Sequence, residues 1–91
     1  GVGAAQDDSA AAGAGANAML QPGDLVRLKI WREPDLSGDN RVDESGVATF
    51  PKIGPLPVSH LTTDSLKSLL LSSYNRYLVN PSVEVTVLRR V

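Results

Sequence analysis

A chain of 91 residues with 42% hydrophobic and 21% charged residues has the composition of a soluble globular domain and room for one core. Nine basic against ten acidic residues leave a formal charge of -1, with no basic excess to neutralise a phosphate backbone, which argues against nucleic acid as a partner. The absence of cysteine removes disulfides, thiolate zinc sites, thiol nucleophiles and lipid-bearing cysteines, and no apolar run nears the roughly 20 residues that span a bilayer.

Twelve of the first 18 residues are Ala or Gly. They offer nothing large to bury, and each glycine penalises a helix by about 1 kcal/mol relative to Ala. Residues 1–18 are therefore expected to form a tail, disordered alone or ordered by a neighbouring subunit. A start in small residues suits a mature exported chain after signal cleavage and equally a trimmed one. The folded domain is expected over residues 19–91, which hold every aromatic and every proline.

Residues 24–32 alternate, with Val26, Leu28 and Ile30 toward a core and Leu25, Arg27, Lys29 and Trp31 on the other side. Pro22 and Gly23 punctuate the start of this strand. Glu33, Pro34, Asp35 and then Ser37 and Gly38 end it with turn chemistry, since proline has no N–H for a ladder. Residues 40–43 and 47–50 flank Asp43-Glu44-Ser45-Gly46, where a type I turn closed by a left-handed glycine predicts a short hairpin. Pro51, Gly54, Pro55 and Pro57 limit residues 52–58 to an edge or a very short strand pair.

Thr62 is placed to cap a helix, Asp64 falls in its first turn where the dipole favours negative charge, and Leu61 can staple onto Leu66. Leu66, Leu69, Leu70 and Tyr77 recur near helical spacing and predict an amphipathic helix running to about Tyr77 with that face buried. Asn80 and Pro81 end the segment. Val83, Val85 and Val87 then alternate with Glu84, Thr86 and Leu88 in a last strand that reaches nearly to Val91. The sum is an α+β fold, a small mixed sheet of short strands covered by one helix. A domain of this size buries about 60% of the surface of its unfolded chain, so association with another copy is expected to stabilise it.

Chemistry-bearing patterns are sparse. His60 is the only histidine and reads as a loop residue before the helix. Asp35, Asp39, Asp43 and Glu44 lack the alternating spacing of a calcium loop, and no serine has an elbow of small residues or a base partner. No catalytic, cofactor-binding or metal-binding residue is singled out, no cofactor is expected, and the chain is read as a non-enzyme. Trp31, Tyr74 and Tyr77 could stack on sugar, although packing in the core or between subunits is the preferred reading. Arg89 and Arg90 read as a solvated strand end.

The order of short motifs is more telling than any one of them. Pro22-Gly23-Asp24, then Trp31 with Glu33-Pro34-Asp35-Leu36-Ser37-Gly38, then Val42-Asp43 before Gly46, resemble the N-terminal domain of the bacterial polysaccharide export proteins, the outer-membrane capsule and exopolysaccharide exporters. Phe50-Pro51 with Ile53-Gly54, Leu61-Thr62 at the helix start, Tyr77-Leu78 before Asn80-Pro81, and Val83 with Val85 continue it in the same order over about residues 20–90. Ser59-His60 departs from the pattern, which usually has a small or glycine residue before its Leu-Thr.

The resemblance implies a small periplasmic α+β domain that assembles side by side, as a homo-oligomer, into a ring around a channel for polymer. It implies weak contact with polysaccharide, no catalytic step, and a periplasmic, outer-membrane-associated or extracellular location. Complete exporters add a sugar-binding-type β-grasp domain and a C-terminal amphipathic helix, so membrane attachment is expected only through segments outside these residues or through partner proteins. Pro22, Gly23, Asp24, Trp31, Glu33, Pro34, Asp35, Gly38, Gly46, Pro51, Gly54, Thr62, Tyr77, Asn80 and Pro81 are then structural motif residues. Two alternatives stay open: a head-to-tail filament or tube in which each tail is held by the next copy, and a monomeric carbohydrate-binding module built on Trp31 and the tyrosines.

Overall fold

The computed structural model describes residues 11–13 and 18–90. Its elements are β1 (Ala11–Gly13), β2 (Leu25–Ile30), a 3-10 turn (Pro34–Leu36), β3 (Gly38–Arg41), β4 (Val47–Phe50), β5 (Gly54–Pro57), α1 (Thr63–Tyr74) and β6 (Val83–Arg90). The alternation in β2 works as expected: Val26, Leu28 and Ile30 are buried while Arg27 and Lys29 face solvent. The same parity in β6 buries Val83 and Val87 and packs Val85 against the core.

The fold is α+β, but its strands form two antiparallel sheets instead of one mixed sheet. Four strands lie in the order β1-β6-β2-β3, and β4 pairs with β5 in a separate ribbon. The reason for the division is local. The Ser37 hydroxyl accepts from the Ile30 N–H (2.9 Å) and lies 2.8 Å from the Glu33 carbonyl. This folds the chain back so that Gly38 comes opposite Leu28 and β3 pairs with β2. The turn at residues 43–46 does form, with Gly46 N–H on the Asp43 carbonyl at 2.9 Å, yet its arms enter different sheets instead of forming the predicted hairpin ladder. In β5, Pro55 and Pro57 carry no N–H, so only Gly54 and Leu56 can donate to a ladder. That strand can serve β4 and no further partner on its proline side.

The helix starts where expected, with Thr62 Oγ1 accepting from the Ser65 N–H at 3.1 Å. It ends earlier than expected, at Tyr74. The Tyr77 N–H bonds back to the Tyr74 carbonyl at 2.9 Å, a tight closing turn that swings Tyr77 out of the helix. The buried stripe is Leu66, Leu70 and Tyr74, at i, i+4 and i+8, whereas Leu69 and Tyr77, both expected to be buried, are 37% and 54% exposed. The stripe covers Phe50, Val58, Val87 and the inner residues of β2 in one core.

The tail expectation for residues 1–10 and 14–17 lies outside the described residues. Ala11–Gly13, within the tail, pair antiparallel with Leu88–Arg90 of their own chain. Residues too small to pack can still form a ladder, which needs only backbone N–H and C=O groups, and the outer edge of β6 supplies them.

Candidate functional site

Two clusters each gather a few of the motif residues. The first is a latch at the start of β2. The Gly23 N–H bonds to the Val42 carbonyl (2.8 Å), the Val42 N–H returns to the Asp24 carbonyl (2.9 Å), and Arg41 Nη1 reaches the Gly23 carbonyl (2.8 Å). The Asp24 carboxylate is buried, and its Oδ2 accepts the Gln21 N–H at 2.8 Å. Arg89 closes the latch, with Nε on Asp24 Oδ1 at 3.0 Å and Nη2 on Oδ2 at 2.9 Å. The reading of Arg89 as a solvated strand end is therefore wrong. Its signal was present in the sequence: Arg89 shares the inward parity of Val83, Val85 and Val87, and an inward cation needs a buried anion. The side-chain hydrogen bond with Asp24 holds the Arg89 pKa above its ordinary value.

The second cluster is the solvent face of the four-stranded sheet. Its register sets Arg27 opposite both Asp39 and Thr86, and Lys29 opposite Glu84. Arg27 Nε meets Asp39 Oδ1 at 2.9 Å, and this hydrogen bond, backed by the charge of Arg27, lowers the pKa of the Asp39 carboxyl. Trp31 follows Lys29 at the same parity just past β2, anchored by its N–H on the Ser82 carbonyl at 3.1 Å. Its ring is one wall of an open hollow of about 100 Å³ shared with Lys29, Ser82 and Glu84. A second hollow of about 220 Å³ brings Trp31 and Glu33 together with Asn80 and Pro81. Arg32, held in the left-handed region at φ 64, lays its guanidinium carbon 4.2 Å from the Trp31 ring centre.

The remaining motif residues stand apart from both clusters and shape the backbone. Pro34 and Asp35 form the 3-10 turn, Gly38 and Gly54 open β3 and β5, and Gly46 holds the 43–46 turn at φ 82. The Pro51 carbonyl accepts the Tyr74 hydroxyl at 2.7 Å, and Tyr77 lies in the turn after α1 with Lys52 Nζ 6.0 Å from its ring centre. Of the three aromatic residues offered as a sugar platform, Tyr74 is core and only Trp31 and Tyr77 are exposed. Among the described residues no three His, Asp or Glu side chains are grouped to hold a metal, and no helix is long and apolar enough to cross a membrane.

Residues 12–88 match the family described as polysaccharide biosynthesis/export protein. This chain belongs to that family. The match reaches back into β1, further than the motifs on which the resemblance rests. Two curated relatives of this polysaccharide export domain, both polysialic acid transport protein KpsD of Escherichia coli, are 27% and 26% identical to it over 88 residues. The alignment takes in 96% of this chain and 16% of each relative, so the chain spans a small part of the relatives' length.

Proposed function

We propose that this polysaccharide export domain is a non-enzymatic wall segment of a homo-oligomeric conduit, periplasmic or outer-membrane-associated, through which exopolysaccharide or capsule polymer is secreted. The family match over residues 12–88 carries the reading. The sheet's solvent face supports it: Arg27, Lys29, Asp39, Glu84 and Thr86 form a polar surface on a rigid ladder, where hydroxyl-rich polymer exchanges hydrogen bonds with side chains and water without a deep site to stall it.

Contacts between copies run through side chains more readily than through strand addition. The free edge β3 is short and carries Asp39 and Arg41, and β5 offers a proline edge; both are features that discourage edge pairing. Exposed apolar side chains are available instead, with Leu69 and Leu71 on the outer side of α1 and Tyr77 beyond it, 37%, 39% and 54% exposed. Native mass measurement followed by electron microscopy of the purified chain tests this reading. Closed cyclic particles are the expected result, and a monomer at every concentration would overturn it.

The filament reading keeps one specific support. β1 is a short strand of small residues laid on the edge of β6, and the same strand from a neighbouring copy could take that place and link copies head to tail. Deleting residues 1–17 then abolishes filaments, whereas a ring built on side-chain contacts survives the deletion.

A further inference from the structure

We propose that Trp31 is a stacking platform for a pyranose ring of the polymer, a subsite that rests on the export reading above and gives it a residue. Trp31 is the chain's only tryptophan and stands 64% exposed at the end of the polar sheet face. The hollow beside it is shallow, with room for a few waters, and presents the donors of Lys29 and Ser82 and the acceptors of Glu84 and Ser82 around an aromatic wall. Those are the needs of a sugar, whose C–H face packs on an indole while its hydroxyls both donate and accept.

The surroundings fit a sugar better than a second copy of the chain. The centre of a protein interface is depleted of charge. Lys29, Arg32, Glu33 and Glu84 all line the hollows that share the Trp31 ring, and among the described residues none of the four has an ion-pair partner. A protein surface docked there would strip water from four unpaired charges, whereas a sugar brings hydroxyls that satisfy them.

Arg32 is the positioning residue. Its left-handed backbone is one that non-glycine side chains disfavour, and a glycine would occupy it without strain. Held there, the guanidinium lies over the indole and limits the orientations the ring can take. The same turn is closed by the Glu33 N–H on the Ile30 carbonyl at 3.0 Å, so the backbone that redirects the chain after β2 also fixes where the Arg32 side chain stands.

The fluorescence of Trp31 reports on the subsite directly. The intact chain is titrated with a dextran oligomer and, separately, with a polysialic acid oligomer of similar length. Saturable change in Trp31 emission with the dextran oligomer, with protection from acrylamide quenching, is the expected result. In amide chemical-shift titrations, Trp31→Ala loses the response at Lys29 and Ser82. Arg32→Gly weakens binding about threefold, the worth of one cation–π contact, while its thermal midpoint stays level or rises. No response to either oligomer overturns the proposal. So does a response to polysialic acid alone that survives Trp31→Ala, which would mean anion capture by the cations, and so does a Trp31→Ala chain that changes its oligomeric state while sugar binding persists. Closed rings without a sugar response reject the subsite and leave the conduit standing; a sugar response from a strict monomer does the reverse.

Discussion

The Asp24 carboxylate and the Arg89 guanidinium, 65 positions apart in the chain, meet in a two-pronged ion pair of 3.0 and 2.9 Å. Arg89 Nη2 also donates to the Met19 carbonyl at 2.8 Å, so one side chain ties the segment before β2 to the far end of β6. The Asp24 side chain is 3% exposed and Arg89 is 32% exposed, which makes this pair different in kind from the Arg27–Asp39 pair, at 55% and 39%.

Removing the cation strands a buried anion. Arg89→Met is expected to cost about 2–3 kcal/mol, a fall in thermal midpoint of about 10 °C or more for a domain of this size. Adding Asp24→Asn to that variant recovers part of the loss, because the amide no longer needs a counter-charge. Thermal unfolding followed by circular dichroism measures both, and an Arg89→Met chain as stable as the parent would show that the latch contributes nothing.

Tyr74 is buried with its hydroxyl on the Pro51 carbonyl, and burial raises its pKa above the ordinary tyrosine value. A raised folded-state pKa means that the neutral phenol stabilises the fold fully below the unfolded pKa of about 10, and that this contribution is lost as pH climbs through the folded value. Urea midpoints taken from about pH 9 to about pH 11 should fall more steeply for the parent than for Tyr74→Phe. At neutral pH the phenylalanine variant is less stable by about 1 kcal/mol, for the lost hydrogen bond. Parallel pH curves for the two chains would contradict this.

Gly46 is both conformationally and sterically constrained. Its φ is 82, and a Cβ built on it would lie 2.5 Å from Ser59 Oγ and 2.8 Å from Ser59 Cβ. Gly46→Ala therefore costs about 2–3 kcal/mol, from left-handed strain and overlap together. In the double variant with Ser59→Gly the overlap disappears and only the backbone part, about 1 kcal/mol, remains. Denaturant midpoints of the two variants separate the contributions, and no rescue by Ser59→Gly would rule out the overlap.

The cap of α1 is a smaller effect. Thr62→Ala removes the acceptor for the Ser65 N–H and is expected to cost about 1 kcal/mol, while Thr62→Ser keeps it. Hydrogen exchange at the Ser65 amide should speed up in the alanine variant and not in the serine variant; equal rates in both would remove Thr62 from the cap.

The sequence alone determined the features that depend on near neighbours. The period of two in residues 24–32 and 83–88, the Thr62 cap, the Gly46 turn and the proline-limited β5 were all legible, because side-chain alternation, capping and turn chemistry are settled within a few residues. The order of short motifs was enough to point to the export family. Tertiary structure decided the rest. It chose β2 over β4 as the partner of β3, gave β1 a place on β6, made Tyr74 core while Tyr77 stayed outside, turned Arg89 from a strand end into a latch, and left Trp31 exposed at the border of a charged face. Each of these outcomes follows from which distant groups meet and which remain in water, and spacing along the chain does not encode that until the chain has closed on itself.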